Sequence, residues 1–236
     1  MSTTKQLIWD LPLRIFHWSF ALTVLGAWYT SEQEGELIDL HIQLGYVALG
    51  LLIFRLLWGV IGPKHARFLS FIPSPKSLMQ YLKISKKTVN TSDKQQSSAG
   101  HNPLGALMVV LMIILIALQA ISGLFINDDV FSSGPYYGSF SKEFEQTMSF
   151  LHHNTFDFMI AAIVLHLTAI AYYWRVKKQN LVLPMITGKK SAHLVSEADA
   201  IPHSKIFLAI IVAISCCLFV YWLVVINVPV VEAFYY

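Results

Sequence analysis

The sequence predicts an all-α integral membrane protein, with a four-helix transmembrane bundle and a fifth transmembrane helix at the C-terminal end. Hydrophobic residues make up 55% of the 236 residues and charged residues only 13%, whereas soluble domains contain about 25% charged residues. Most of the apolar residues occur in runs of about 20 residues, the length that crosses a hydrocarbon layer about 30 Å thick as an α-helix. This composition argues against a soluble domain.

Five apolar runs account for the membrane-spanning part of the chain. Tryptophans near their ends, such as Trp28, Trp58 and Trp174, are typical of the aromatic belt at a membrane–water interface. We expect no cleaved signal peptide, because the first run continues without a small-residue cleavage pattern. The two long polar stretches, residues 62–100 and 175–205, predict connecting loops, the first of them mobile. The predicted spans are residues 12–30, 40–61, 103–126, 152–174 and 206–228, so that residues 1–190 hold four spans and residues 191–236 hold a linker and the fifth.

The distribution of basic residues predicts the orientation of the chain. Fifteen of the 17 Lys and Arg residues precede His17 or lie in the two long polar stretches, all on one side of the predicted membrane. By the positive-inside rule this side is cytoplasmic. The N-terminus is therefore expected in the cytoplasm and the C-terminus, after five spans, outside it.

The opposite loops are acidic, and two explanations remain open. Sorting of basic residues to the inside leaves acidic loops outside by default. Alternatively, the acidic residues form a docking face for a basic extracytoplasmic partner. The residues concerned are Glu32, Glu34, Glu36, Asp39, Asp128, Asp129, Glu143 and Glu145.

The fourth predicted span carries a histidine near each end, and these two histidines share one helix face. His166 follows His152 by 14 residues, which in an α-helix gives a rise of about 21 Å and a net rotation of about −40°. The step from His153 to His166 rotates by about −140° instead. His152, rather than His153, therefore lies on the face of His166.

Two histidines of other spans match this pair in depth. His41, like His152, is expected to open its helix at the outer boundary. His17 lies about 18 Å beneath the outer end of the first span, near the level of His166. Ionisable residues inside a span are rare and by default indicate function. The sequence thus predicts an outer pair, His41 with His152, and an inner pair, His17 with His166.

Facing pairs of imidazoles predict two haem groups. Two imidazoles at one level are the arrangement that holds a flat macrocycle with a central iron. A closed zinc site instead requires four ligands at one point, and the two pairs lie too far apart to share an ion. The chain has no C-x-x-C-H sequence, and its two cysteines, Cys216 and Cys217, are adjacent, so a haem here would have no thioether bonds. The predicted cofactors are two b-type haems, with His17, His41, His152 and His166 as the metal ligands.

Three further residues are candidates for cofactor contacts. Arg55 follows His41 by 14 residues and could contact a propionate of the inner haem or extend to the cytoplasmic interface. Arg14, three residues before His17, is a second candidate for the propionate. His101 precedes the third span and either occupies a helix start or contacts a quinone or the inner haem. Surface positions are expected for the loop histidines His65, His193 and His203.

Five segments carry a recognisable pattern: WDLPLRIFHW, LHIQLGYVALGLLIFRLLWGVIGPKHARF, HNPLGALM, ALQAISGLF and MITGKK. With the spacing of His152 and His166, they resemble the bacterial cytochrome b561 family, which includes the cytochrome b subunits of nickel-iron hydrogenases. The resemblance covers residues 9 to about 190. It implies a di-haem four-helix bundle in the bacterial inner membrane. Many members have Glu and Asn where this chain has His153 and Asp157.

The predicted function is electron transfer. An iron with two histidine ligands has no open position for a substrate, so the protein is expected to move electrons. The family resemblance implies that they pass between membrane quinones and a redox partner, which we expect to be a protein such as a c-type cytochrome at the acidic outer face. One alternative is a self-sufficient quinone-linked oxidoreductase that acts on superoxide or another small acceptor. Another is a proton or metal pathway without haem. Membrane lipid is an expected partner and nucleic acid is not.

Overall fold

The computed structural model describes residues 5–31, 36–87, 99–127, 132–192 and 195–229. Most of these residues are helical, as predicted. A short antiparallel pair of strands, β1 (Lys5–Leu7) and β2 (Lys189–Ser191), is an element that the sequence did not predict. The helices are α1 (Leu11–Ser31), α2 (Glu36–Ile61), α3 (Phe68–Phe71), α4 (Pro75–Lys87), α5 (Pro103–Ser122), α6 (Lys142–Arg175), α7 (Val182–Thr187) and α8 (Ile206–Tyr221).

Among the described residues, four helical segments are long and apolar enough to cross a membrane. They are Leu37–Ile61, Pro103–Phe125, Lys142–Arg175 and Ile206–Ile226, and they correspond to the second to fifth predicted spans. The first predicted span is helical over 21 residues. It carries Arg14 and His17 and is not among the four segments. The count of five spans therefore stays a prediction.

Helix α6 begins ten residues before His152, and α2 begins five residues before His41. The expectation that each histidine opens its helix is therefore wrong. The added turns of α6 are polar, so hydropathy does not detect them, but acidic residues in a first turn stabilise a helix N-terminus. Glu143 and Glu145 supply that charge, and Ser141 Oγ caps the helix by accepting a hydrogen bond from the Phe144 N–H at 3.3 Å.

The predicted loop at residues 62–100 is helical in its first part. It contains a 3₁₀ turn at Lys64–Ala66, followed by α3 and α4. Helix α4 begins at Pro75, and proline suits the first position of a helix. Ser74, just before it, accepts a hydrogen bond from the Ser77 N–H with its Oγ. Residues 88–98, in the Lys-, Ser- and Gln-rich part, lie outside the described residues, and so does His193.

The chain divides into two compact units, and the long helices each contribute residues to both. The first unit comprises Met1–Ile15, Leu56–Leu111 and Val164–Ala209. Within it, the N–H groups of Ile8 and Trp9 both donate to the Gly188 carbonyl, at 2.9 and 3.0 Å. Gly188 has φ +80°, and a Cβ there would lie 2.7 Å from the Trp9 carbonyl oxygen. Only glycine fits this close approach.

A buried carboxylate links the start of α1 to the end of α2 in the first unit. Asp10 and Trp58 are both fully buried. Asp10 Oδ1 accepts hydrogen bonds from the Leu13 N–H and from Trp58 Nε1, each at 2.9 Å. Asp10 thus caps α1 and also satisfies the indole of a different helix.

The second unit comprises Phe16–Arg55, Met112–Ile163 and Ile210–Tyr236. In it, Val220 of α8 packs in a core cluster with Leu49 of α2 and with Leu124, which follows α5. The helix ends in a π-helical turn, Trp222–Ile226, and the Tyr136 hydroxyl donates to the Leu223 carbonyl of that turn at 2.9 Å. These contacts give the last helix a packing role.

Replacing Asp10 with alanine should destabilise the first unit. The substitution removes a helix cap and leaves a buried indole donor without this acceptor, a loss of about 2 to 4 kcal/mol in total. Thermal unfolding of the purified protein in detergent would measure the effect. Asp10→Asn is the matched control, because its Oδ1 can still accept both hydrogen bonds, and an equal loss in both variants would contradict this explanation.

Candidate cofactor site

His41 of α2 and His152 of α6 face each other in the second unit. Their ring centres are 6.2 Å apart, and the ring planes are inclined by 82°. Both side chains are half-buried. The structure therefore brings these two histidines together, although both lie inside their helices.

Backbone carbonyls of neighbouring helices hold both imidazoles. His41 Nδ1 lies 2.8 Å from the Ala27 carbonyl oxygen of α1, and His152 Nδ1 lies 3.0 Å from the Gln119 carbonyl oxygen of α5. A carbonyl can only accept a hydrogen bond, so Nδ1 carries the proton in each ring. The lone pair is then on Nε2, the nitrogen that would bind a metal.

The separation of the two rings matches ligation of one metal from opposite sides. A metal–imidazole bond of about 2 Å places the metal about 3 Å from the ring centre, so two opposed rings have centres about 6 Å apart. The observed 6.2 Å agrees with this value. The residues thus fit an iron held by two imidazoles, as in a b-type haem.

The chain after α5 leaves little space around His152. A Cβ at Gly123 would lie 3.0 Å from His152 Cε1. Ser122 Oγ, from a residue with only 1% exposure, lies 3.3 Å from His152 Nδ1 and donates to the Leu118 carbonyl at 2.6 Å. Ser122 is therefore a weaker second acceptor for the imidazole N–H, and sequence reasoning missed it. Its signal was the segment ALQAISGLF, which contains both Ser122 and Gly123.

One face of α6 is buried along the stripe that the histidine spacing predicted. Thr155, Met159 and Ala162 are its buried residues. They follow His152 by 3, 7 and 10 residues, and His166 follows by 14, which is the repeat of one helix face. Their burial supports the expectation that the histidines share a face.

The inner histidines lie in different units. His17, in the second unit, is half-buried and packs edge-on against Trp18 with ring centres 5.2 Å apart. His166, in the first unit, is also half-buried. The pairing of His17 with His166 stays a prediction.

The two candidate arginines occupy different surroundings. Arg55 has only 2% exposure, which argues against extension to an aqueous interface, and a buried guanidinium requires polar partners. Arg14 Nη1 donates to the Ile186 carbonyl of α7. Within the described part of the chain, no acceptor lies within hydrogen-bonding distance of the buried Arg14 Nε.

His101 and His65 belong to an aromatic cluster in the first unit. His101 packs against Trp9 and Phe71, with ring centres 4.7 and 4.8 Å apart. This packing favours a structural role at the start of α5. His65 was expected on the surface, but it is buried, and Nε2 donates to the Asp199 carbonyl at 2.7 Å. Burial lowers the pKa of His65.

Lys190 adjoins the same cluster. Its ammonium donates to the Ala99 carbonyl at 2.8 Å and lies 6.0 Å from the Trp9 ring centre. Burial lowers the pKa of Lys190 to about 8. The sequence did not predict this residue's burial, although it belongs to the segment MITGKK. The remaining loop histidine, His203, is exposed as expected.

An open, polar cleft lies along α2, mainly on a helix face about 150° away from His41. Its lining includes Asp39, Gln43 and Tyr46 of α2 with Ser132 and Ser133, and Ser132 Oγ donates to Asp39 Oδ1 at 2.7 Å. Asp39, Glu143 and Glu145 are the residues of the predicted acidic face whose side chains are described. The other five lie outside the described residues or have undescribed side chains: Glu32, Glu34, Glu36, Asp128 and Asp129.

Comparison with known proteins gives one family and several relatives. The family described as prokaryotic cytochrome b561 matches residues 8–188. A probable Ni/Fe-hydrogenase B-type cytochrome subunit of Azotobacter chroococcum mcd 1 is 25% identical over 222 residues, covering 78% of this chain and 88% of that protein. Proteins of the same description from Azotobacter vinelandii and Rhizobium leguminosarum bv. viciae are 23% and 21% identical, covering 78% of this chain and 88% and 87% of their own lengths. No solved structure matches the chain.

The family match extends over most of the chain, including all four candidate ligand histidines. The four apolar helical segments agree with a multi-pass membrane protein. A b-type cytochrome carries haem b, and the geometry of His41 and His152 fits that cofactor. The chain belongs to the prokaryotic cytochrome b561 family, which implies a multi-pass membrane cytochrome that holds haem b.

Proposed function

We propose that this protein is a di-haem membrane cytochrome that transfers electrons between the quinone pool and a redox partner protein. The observation that carries the proposal is the pair His41 and His152, with ring centres 6.2 Å apart and both Nδ1 atoms on backbone carbonyls. Haem supplies a reversible one-electron couple when bound. An iron held by two imidazoles leaves no position for a substrate, which favours electron transfer over oxygen chemistry.

The chain's own residues hold the outer haem in a fixed orientation. The Ala27 and Gln119 carbonyls fix the ring orientation and the tautomer of His41 and His152. These contacts increase the basicity of each ligand nitrogen. The absence of a side chain at Gly123 allows the His152 ring to approach α5 closely. Ligand orientation therefore depends on the packing of helix pairs rather than on mobile side chains.

The inner haem is assigned to His17 and His166. Support comes from the stripe on α6, since His166 lies on the same face as His152, about 21 Å further along the helix. Arg55 and Arg14 are proposed as contacts for its propionates, because both present buried guanidinium nitrogens. His101 is kept as a further candidate contact for a quinone or the inner haem. Two irons about 20 Å apart would carry charge across part of the bilayer.

The partner is proposed to dock on the outer side. The relatives are described as hydrogenase cytochrome subunits, so a nickel-iron hydrogenase is the first candidate for the donor and a quinone for the acceptor. A c-type cytochrome remains the second candidate partner. The orientation of five spans, with a cytoplasmic N-terminus and a periplasmic C-terminus in the bacterial inner membrane, follows from the distribution of basic residues.

Replacing one ligand histidine should remove one haem. Purified protein should contain two haems per chain, and His152→Ala and His166→Ala should each reduce this to one, because an imidazole is lost from one iron only. The pyridine haemochrome assay, normalised to protein, measures the number. The control is His153→Ala, an exposed neighbour of His152, which should retain both haems. Two intact haems in His152→Ala would overturn the assignment, and a colourless wild type would favour the transport alternative.

Replacing Ser122 with alanine should raise the potential of the outer haem by a few tens of mV. The Ser122 hydroxyl is a second acceptor near His152 Nδ1, and its loss weakens donation to the iron and disfavours the oxidised form. A tenfold change in relative affinity corresponds to about 59 mV for one electron. Potentiometric titration of the absorbance bands measures the shift. Ser122→Thr keeps the hydroxyl and should titrate like the wild type, and equal shifts in both variants would contradict the role.

Isolated protein should be reduced by a quinol but should not turn over until a redox protein is added. The measurement is stopped-flow haem reduction by a short-chain quinol, followed by steady-state assays with a small molecule only, either quinol with oxygen or superoxide with quinone. The assays are then repeated with a redox protein, either quinol as donor with oxidised cytochrome c as acceptor, or H2 and hydrogenase as donor with quinone as acceptor. If neither iron has an open position for a small molecule, turnover should occur only when the protein partner is present. Steady turnover with superoxide alone would instead support the self-sufficient oxidoreductase.

A further inference from the structure

The segment that follows α2 carries positive charge without any acidic residue. Between residues 62 and 87 the sequence has six Lys or Arg residues and no Asp or Glu. Arg67, Lys76 and Lys83 have exposed side chains. Lys64 also belongs to the segment, but it pairs with Asp199 at 2.8 Å. The segment therefore has exposed basic side chains that are available to bind an external anionic ligand.

Helix α4 sorts its side chains onto distinct faces. Lys76 and Lys83 are seven residues apart and lie about 20° apart around the helix, at 100° per residue. Met79 and Leu82 lie about 60° apart on the strip next to the lysines. The half-buried Tyr81 is on the packed side, where its hydroxyl lies 3.4 Å from the Tyr173 hydroxyl of α6. Asn102 Nδ2 donates to the same Tyr173 oxygen at 2.6 Å, so the orientation of α4 is held by the first unit.

Large apolar side chains are exposed on the strip beside the lysines and in the chain just before α4. Leu69 of α3 is fully exposed, and Met79 and Leu82 are 58% and 41% exposed. Ile72, between the two helices, is 47% exposed. Exposure of each of these side chains to water is unfavourable in proportion to its apolar area. Clusters of this kind mark interaction surfaces.

We propose that α3 and α4 form an interfacial foot that binds anionic phospholipid through Lys76 and Lys83, with Leu69, Ile72, Met79 and Leu82 inserted among the acyl chains. An apolar strip flanked by lysines is the arrangement of helices that lie in a membrane surface. The segment is positively charged and contains no acidic residue, so anionic lipid headgroups complement it. Basic residues next to a membrane-spanning helix are attracted to such lipids.

A lipid surface fits this strip better than a protein partner does. Val60 and Ile61, at the end of the membrane-spanning α2, are 69% and 40% exposed, as side chains in contact with lipid would be. Only a few residues separate them from Leu69, so the chain passes from α2 into the foot close to the membrane surface. The proposal depends on the membrane setting of the family but not on the haem assignment. Loss of lipid binding with both haems retained would therefore separate the two.

The depth of the foot can be measured with fluorescent labels on the full-length holoprotein in nanodiscs. In a Cys216→Ser, Cys217→Ser background, labels would be placed at Leu82→Cys and Gln80→Cys. These positions lie about 160° apart on α4. We expect a nitroxide high on the lipid acyl chain to quench the label at position 82, and aqueous iodide to quench the label at position 80. Iodide quenching at both positions would overturn the insertion, and protection at position 82 only on dimerisation would assign the strip to a second copy.

The specificity for anionic lipid can be measured by native mass spectrometry in detergent with added phosphatidylglycerol or phosphatidylcholine. Each lysine near an anionic surface contributes about fivefold to binding, so Lys76→Gln with Lys83→Gln should weaken phosphatidylglycerol binding by about 25-fold and leave phosphatidylcholine unchanged. The matched control, Lys5→Gln with Lys189→Gln, removes two exposed charges of the same unit that lie on the strand pair β1–β2 rather than at the end of a membrane-spanning helix, and should change binding less than twofold. Equal losses in both variants, or no preference for phosphatidylglycerol in the wild type, would overturn the proposal. The haem spectrum checks that each variant folds.

Discussion

The outer site depends on two hydrogen bonds between imidazole N–H groups and backbone carbonyls. Ala27 of α1 orients His41, and Gln119 of α5 orients His152. Helical carbonyls cannot rotate as side chains do, so each ring direction is set by how closely two helices pack. That closeness requires small residues. A Cβ at Gly26 would lie 3.1 Å from Leu44 Cδ1, and one at Gly123 would lie 3.0 Å from His152 Cε1. The glycines of α1 and of the chain after α5 therefore act on the cofactor site indirectly.

This dependence links fold stability to ligand chemistry. A metal ligand must present a deprotonated nitrogen, and an imidazolium is costly at membrane depth. Holding the single proton of a neutral ring on Nδ1 satisfies both conditions, because Nε2 then needs no further deprotonation. Ser122 adds a weaker acceptor at His152. The two imidazoles thus have different hydrogen-bond surroundings, and under the proposed ligation His152 has the stronger means of adjusting the iron's potential.

Periodicity predicted the parts of the structure that lie within one continuous helix. The spacing of His152 and His166 predicted that both lie on one face, and Thr155, Met159 and Ala162, which follow the same repeat, are the buried residues of one continuous helix. Hydropathy failed where helices are amphipathic, at the polar first turns of α6 and at α4, since it detects apolar runs rather than helix formation. His65 was misplaced for another reason. Its burial depends on Asp199, 134 residues away in sequence, and no local pattern encodes such a contact.

The segments that resemble the family divide into two kinds. Some hold the histidines, whereas WDLP and MITGKK hold the first unit together through Asp10, Trp9 and Gly188. The cleft at Asp39 lies partly within the second of these segments, which contributes Ile42, Gln43 and Tyr46 to its lining. Family membership therefore constrains the cofactor and the scaffold. Asp39 and Ser132, which complete the cleft and hydrogen-bond to each other at 2.7 Å, lie outside the five segments, so this surface contact is one that the family pattern does not include.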